Sequence, residues 1–260
     1  MSEESVVITR KGQVALIRLN EPKSMNALSA GIRDGFYGAL PGLIDDPDVR
    51  CIVITGTGDA FCAGGDIRNM GVKPPPAIRS RMQGSHGKFV SRLLKAEKPV
   101  ITAVNGAAAG AGFSLALLGD IVLASKSAYF LTAFSRLGAC PDLGLLATLP
   151  RAIGMARAKD ILLTSRKVSA DEAWQMGLVS RVVEPAALLD TAMETAEILA
   201  QAPTVTIGLI KRLLLRAYDT SIDEFLDQEA FAQAIAQSTE DFLTGVEAFR
   251  AKKKPAFKGR

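Results

Sequence analysis

Three segments of this chain, 49–55 (VRCIVIT), 100–106 (VITAVNG) and 120–125 (DIVLAS), are nearly continuous apolar runs rich in β-branched residues. A strand with one wetted face alternates apolar with polar residues. A strand covered on both faces does not, and such strands belong to parallel sheets flanked by helices. Parallel neighbours cannot be joined by a tight hairpin, so the chain between them must cross over, usually through a helix. The alternation of these runs with helix-like stretches therefore specifies an α/β fold.

The rest of the chain fits that frame. Residues 5–10 (SVVITR) and 13–19 (QVALIRL) alternate as strands do, on either side of a Lys11-Gly12 turn. A polar loop, NEPKSMNALSAGI, leads into a helical pattern over about 29–44. Pro74-Pro75-Pro76 marks a break before a helix expected at about 78–96. From about residue 142 the pattern turns helical. Ser169-Ala170-Asp171-Glu172 and Ser221-Ile222-Asp223-Glu224 are capping boxes. Pro203 opens a helix on which Ile210, Leu213, Leu214 and Ala217 share a face. With 260 residues, the expectation is one core domain over 1–200 and a C-terminal helical assembly region over 201–260.

Several function classes drop out by counting. The single histidine, His86, leaves no His-rich zinc site and no HExxH. There is no GxxxxGK[ST] phosphate loop, and the glycines at 106, 110 and 112 miss the dinucleotide-binding spacing. No GxSxG surrounds Ser114, so a hydrolase elbow is unsupported. A formal charge of +4 is a weak argument for a nucleic-acid partner, and none is expected. The positive charge crowds into the tail, where Lys252, Lys253, Lys254, Lys258 and Arg260 read either as a solvated run or as phosphate contacts. No stretch of 18 uncharged apolar residues predicts a membrane span, and the acidic N-terminus has no signal-like apolar core. Three cysteines without CxxC spacing suggest reduced thiols in a cytoplasmic protein.

Two glycine-rich turns remain, Phe61-Cys62-Ala63-Gly64-Gly65-Asp66 and Gly106–Gly112, each following a buried strand. Small residues let a ligand approach main chain closely, and two such turns meeting at one core edge would aim two N–H groups at one oxygen. Tight strand–helix packing asks for the same small residues, so composition leaves both readings open.

These segments, with NEPKSMNALS (20–29), GTGDAFCAGGDI (56–67), KPVITAVNGAAAGAG (98–112), DILLTSRKVSADEAWQMGLVSRVV (160–183) and the terminal PAFKGR, resemble the crotonase (enoyl-CoA hydratase/isomerase) superfamily along nearly the whole chain. The resemblance implies a ββα spiral core, a homotrimer or dimer of trimers built through the C-terminal helices, and an acyl-CoA substrate. Coenzyme A is then part of the substrate, with no separate cofactor and no metal. It implies an oxyanion hole at the amides of Gly65 and Ala111 and a CoA path along Lys23, Met25, Ala63, Asp66 and Ile67. Phe257 and Lys258 of a neighbouring subunit look like its adenine and phosphate contacts.

The family's hydratases use two glutamates, and the corresponding positions here look like Ser114 and Phe134. Both carboxylates are missing. Asp142, eight residues beyond Phe134, matches the position of the single acid in the family's isomerases, and a lone carboxylate suits moving a proton between two carbons. Its position after Pro141 also fits an ordinary helix N-cap. Isomerisation with Asp142 as acid/base is the leading expectation. The alternatives are a hydratase using Asp142 with a bound water, and an acyl-CoA-binding paralogue without catalysis. A dehalogenase is disfavoured because the only tryptophan, Trp174, lies in the helical region. Ser114 is read as a substrate contact or a packing residue, His86 as a bystander or minor contributor, and Asp66 as loop-stabilising. The loop over 70–88 and the helical back are expected to shape the acyl pocket.

Overall fold

The computed structural model describes residues 4–260, the side chains of residues 69 and 85–87 excepted. Among the described residues, ten strands form two sheets: β1 (Val6–Lys11), β2 (Val14–Leu19), β3 (Cys51–Gly56), β4 (Ala60–Cys62), β5 (Val100–Val104), β6 (Ala107–Ala109), β7 (Ile121–Ser125), β8 (Tyr129–Leu131), β9 (Lys167–Ser169) and β10 (Arg181–Val183). The larger sheet has the order β1-β2-β3-β5-β7-β10, and the smaller β4-β6-β8-β9. β1–β2 and β8–β9 pair antiparallel, and the other neighbours run parallel. A long strand in the first sheet, a short one in the second and a helix recur three times: a ββα spiral.

The helices are α1 (Ala30–Asp45), α2 (Pro75–Ser85), α3 (Ser91–Lys95), α4 (Ala111–Ala116), α5 (Leu145–Ile153), α6 (Met155–Thr164), α7 (Ala170–Gln175), α8 (Leu188–Ala200), α9 (Thr204–Arg216), α10 (Ile222–Gln237) and α11 (Glu240–Arg250). The helix expected at 78–96 is present but broken: a π-helical turn over His86–Val90 separates α2 from α3. Likewise Gly154, at φ +80°, divides the stretch after residue 144 into α5 and α6. Ser169 and Ser221 cap α7 and α10, each side chain accepting from the amide of the glutamate three residues on.

The unbroken apolar strands are explained by two cores. Ile52, Ile54, Val100 and Val104 face the main core, shared with the second sheet and α1. Their alternates Cys51, Val53, Ile101 and Ala103 face a second core closed by α8, whose Leu188, Ala192, Ala196 and Ala200 recur every four residues. Alanines there let the helix lie close against the sheet.

α9 reverses the expected polarity. Ile210 and Leu214 are exposed, whereas Lys211 is buried, 2.7 Å from Asp120 and donating to the carbonyls of Leu93 and Lys98. No single helix among the described residues is long and apolar enough to cross a membrane.

Candidate active site

The two glycine-rich turns sit at adjacent ends of the second sheet. β4 pairs with β6 in parallel, Ala60 with Ala107 and Cys62 with Ala108, so the chain leaves both strands side by side. Gly64 turns at φ +94°, and a Cβ there would come within 2.6 Å of the Ala109 carbonyl oxygen and 3.1 Å of the Ala111 nitrogen. Glycine is required on both counts, conformation and space. The loop over 20–29 is laced to the same turn, the Ala63 amide donating to Met25 O (2.9 Å) and the Leu28 amide to Gly64 O (2.7 Å).

Gly65, Ala111 and Asp142 line one cavity of about 110 Å³. Its walls are apolar: Ile32 and Phe36 lie on one face of α1, and Leu28, Met70, Met82, Phe89 and Leu143 join them. Phe36 and Phe89 meet edge to face at 4.9 Å between ring centres. Arg33, Tyr37 and Arg81 supply the remaining polar lining. Among the described residues, no oxygen accepts a hydrogen bond from the amide of Gly65 or Ala111. Two main-chain donors thus border an apolar cavity unclaimed by the fold, while Asp142 is the one carboxylate among its lining residues.

Asp142 is half-buried, with its Oδ1 shielded from solvent. It does not serve as a helix N-cap. That position in α5 belongs to Gly144, at φ +85°, and the Asp142 main-chain oxygen accepts from the Leu145 amide at 3.1 Å. The turn that makes room for this includes Leu143 at φ +49°, a costly conformation for a γ-branched side chain.

Ser114 is fully buried in α4, its hydroxyl directed to the Gly110 carbonyl at 3.5 Å, and it does not line the cavity. Phe134 is a core residue. Asp66 accepts from the Arg68 amide and forms a two-pronged ion pair with its guanidinium (2.9 and 3.0 Å), as a loop-stabilising residue would. Lys23, Met25 and Ile67 are exposed on the segments that carry the first turn, and Ala63 is half-buried among them. Phe257 and Lys258 lie elsewhere. The Lys258 amide donates to Asp241 (2.6 Å), and the Phe257 carbonyl accepts from Arg50 (3.2 Å), pinning the tail beside α11. The side chain of His86 lies outside the described residues. Trp174 is exposed on α7. Burial pushes the thiols of Cys51 and Cys62 up to about 12, so neither is a nucleophile at neutral pH.

Sequence reading missed α1 as a cavity wall. The signal was present in the spacing Leu28, Ile32, Phe36, but it reads equally as an ordinary buried stripe. Met70, Arg81 and Met82 of the segment over 70–88 line the cavity, as do Asp142 and Leu143 at the start of the helical back.

Comparison with known proteins meets this geometry from outside. The model of the family described as enoyl-CoA hydratase/isomerase matches residues 9–260. The chain is 40% identical over 250 residues to the 1,2-epoxyphenylacetyl-CoA isomerase of Escherichia coli, covering 95% of each. It is 36% identical over 259 residues to the crotonyl-CoA hydratase of Syntrophomonas wolfei, covering 99% of each. The crystal structure of an enoyl-CoA hydratase/isomerase from Cupriavidus metallidurans superposes with a TM-score of 0.93 at 36% identity, over 100% of this chain and 98% of that one. With the spiral fold, the full-length match and the solved relatives in agreement, this chain belongs to the enoyl-CoA hydratase/isomerase family and has the crotonase fold.

Proposed function

We propose that the protein moves a carbon–carbon double bond in an acyl-CoA thioester, with Asp142 as the acid/base and the amides of Gly65 and Ala111 as the oxyanion hole. Asp142 takes a proton from the carbon beside the thioester carbonyl of a 3-enoyl-CoA, and the electron pair spreads onto the carbonyl oxygen. Two aimed N–H donors stabilise that charge, each worth about 10²–10³ in rate. The same carboxylic acid returns the proton two carbons away as the charge flows back. One proton leaves and one arrives, and no water is consumed.

The observation that supports this reading is the convergence of Gly65, Ala111 and one carboxylate, Asp142, on a single apolar cavity. By the family resemblance, Ser114 and Phe134 look like the occupants of the positions where hydratases carry their pair of glutamates. Incubation with 3-hexenoyl-CoA tests the reading: conjugated thioester absorbance should rise with the native protein and not with Asp142→Asn, while acyl-CoA binding persists.

The hydratase names of relatives such as the Syntrophomonas protein favour a second reading, hydration of a 2-enoyl-CoA with Asp142 and a bound water. Hydration at a rate comparable to isomerisation would reverse the order. Binding without turnover of either thioester would make the chain a non-catalytic paralogue. The relative named 1,2-epoxyphenylacetyl-CoA isomerase and the rings of Phe36, Tyr37 and Phe89 in the cavity wall support a ring-bearing acyl group on the same machinery.

For the rest of the substrate, Lys23, Met25, Ala63, Asp66 and Ile67 are proposed to border the CoA path, with Phe257 and Lys258 reaching it from a neighbouring subunit. Assembly as a trimer or dimer of trimers through residues 201–260 is supported by the apolar side chains left exposed there: Leu214, Ile222, Phe231 and Phe249 are 66%, 68%, 74% and 85% accessible. Three unpaired thiols, two of them buried, favour a cytoplasmic setting.

A further inference from the structure

The segments that lead to the two donor turns are tied together by a pair of asparagines that do not line the cavity. Asn26 is completely buried and sits in the left-handed region at φ +55°. Its Nδ2 donates to the carbonyls of Ala60 (2.7 Å) and Thr57 (2.9 Å), and its Oδ1 accepts from the Glu21 amide (2.9 Å). Asn105 follows β5 directly. Its Nδ2 donates to the same Ala60 carbonyl (3.2 Å) and to Gly58 O (2.7 Å), and its Oδ1 accepts from the Gly56 amide (3.1 Å).

Ala60 therefore carries both amides on one oxygen, and its place in the chain gives that bond its reach. It is the first residue of β4, five positions before Gly65, and it pairs with Ala107, the first residue of β6, four positions before Ala111. Gly106, between Asn105 and β6, is pressed against the Asp59 carbonyl with no room for a Cβ. Both short strands are thus anchored at the same end by the same carbonyl, and both run from it to a donor amide. A buried polar side chain that satisfies three groups fixes their relative positions, since each group loses a buried partner if the arrangement slips.

We infer that Asn26 and Asn105 are positioning residues that set the separation of the Gly65 and Ala111 amides through the shared Ala60 carbonyl. This rests on the reading of those amides as the oxyanion hole, though not on the choice between isomerisation and hydration. A misplacement of about 1 Å in a catalytic group costs roughly 10²-fold in rate. The loss falls on turnover, because the ground-state acyl chain is held by the apolar walls, and neither asparagine lines the cavity.

The experiment uses Asn26→Ser, Asn105→Ser and the double variant in the full-length protein, with two readouts on the folded fraction. The first is the infrared carbonyl stretch of bound hexanoyl-CoA carrying ¹³C at the thioester carbon, a saturated probe that is not turned over. In the native protein the stretch falls to lower frequency as two donors polarise the carbonyl; in each variant most of that shift is lost while the Kd stays within about twofold. The second is turnover of 3-hexenoyl-CoA, with kcat down about 10–100-fold and KM within about twofold. The double variant should lose less than the product of the two single losses, because both act on one carbonyl. Variants that keep the native infrared shift, or that merely melt earlier with kcat intact, overturn the assignment. A native protein with no carbonyl shift overturns the oxyanion reading and this inference with it. A native protein with the shift but no isomerisation removes the isomerase reading alone, and the variant spectra still decide the role of the asparagines. Should Asn26→Ser fail to fold, the half-buried Asn105 carries the same test.

Discussion

Gly112 stands directly beneath the Cys62 carbonyl, with no space between them for a Cβ. That contact locks the first turn of α4 against β4 and so brings the segment carrying Ala111 onto the segment carrying Gly65. It also gives the glycines of the second turn separate roles: Gly110 turns the chain at φ +51°, whereas Gly112 permits approach.

Gly112→Ala should therefore destabilise the protein by about 1–3 kcal/mol, the usual cost of overpacking, and lower turnover in the fraction that folds. Thermal unfolding gives the first quantity, as a fall in Tm of several degrees. Gly38→Ala is the control. Gly38 lies in the interior of α1 with open space where a Cβ would go, so alanine should stabilise by about 0.5–1 kcal/mol.

Lys211 is the second feature on which stability turns. Its ammonium is buried against Asp120 and two main-chain carbonyls, and burial holds the Asp120 carboxyl above its ordinary range. Lys211→Met removes the compensating charge and should cost about 3 kcal/mol, measured by denaturant unfolding. An unchanged midpoint would show that the pair is dispensable.

Asp46 provides a pH signature. The Asp48 amide and the Arg10 guanidinium lower its pKa below 3.8. Because the folded value lies below the unfolded one, its contribution is present above pH 3.8 and is lost as pH falls through the folded value. The Tm gap between the native protein and Asp46→Asn should thus be present at pH 7 and narrow in acid.

The apolar faces of α9, α10 and α11 predict assembly. Phe231, 74% accessible on α10, is an unfavourable surface residue unless another chain covers it. Sedimentation should show an oligomer for the native protein and a shift toward monomer for Phe231→Asp, with the far-ultraviolet circular dichroism unchanged.

How far the sequence led is clearest from particular elements. The strands β1, β2, β3, β5 and β7 were legible because each is long enough for its pattern to declare itself. β4, β6, β8, β9 and β10 are three residues each, below the length at which a period of two can be seen, so the second sheet was invisible although both turns depend on it. The turns themselves stood out by their glycines. Asp142 stood out by the absence of acids at 114 and 134, yet that it lies outside the cap position needed the backbone, where Gly144 occupies the N-cap of α5. α9 misled: its apolar stripe was visible, and a stripe does not say whether its own core or another chain will cover it. Lys211 was unreadable for the converse reason, since a buried lysine is recognisable only once Asp120 is beside it.

In the proposed mechanism one carboxylate moves the proton while two main-chain amides hold the charge. The most direct measurement is the rate of conjugation of 3-hexenoyl-CoA by the native protein and by Asp142→Asn, each alongside its Kd for hexanoyl-CoA. Asp142→Asn should lower kcat by about 10²–10⁴-fold with the Kd within about twofold. Native-like turnover by Asp142→Asn would contradict it and move the acid/base role to another group.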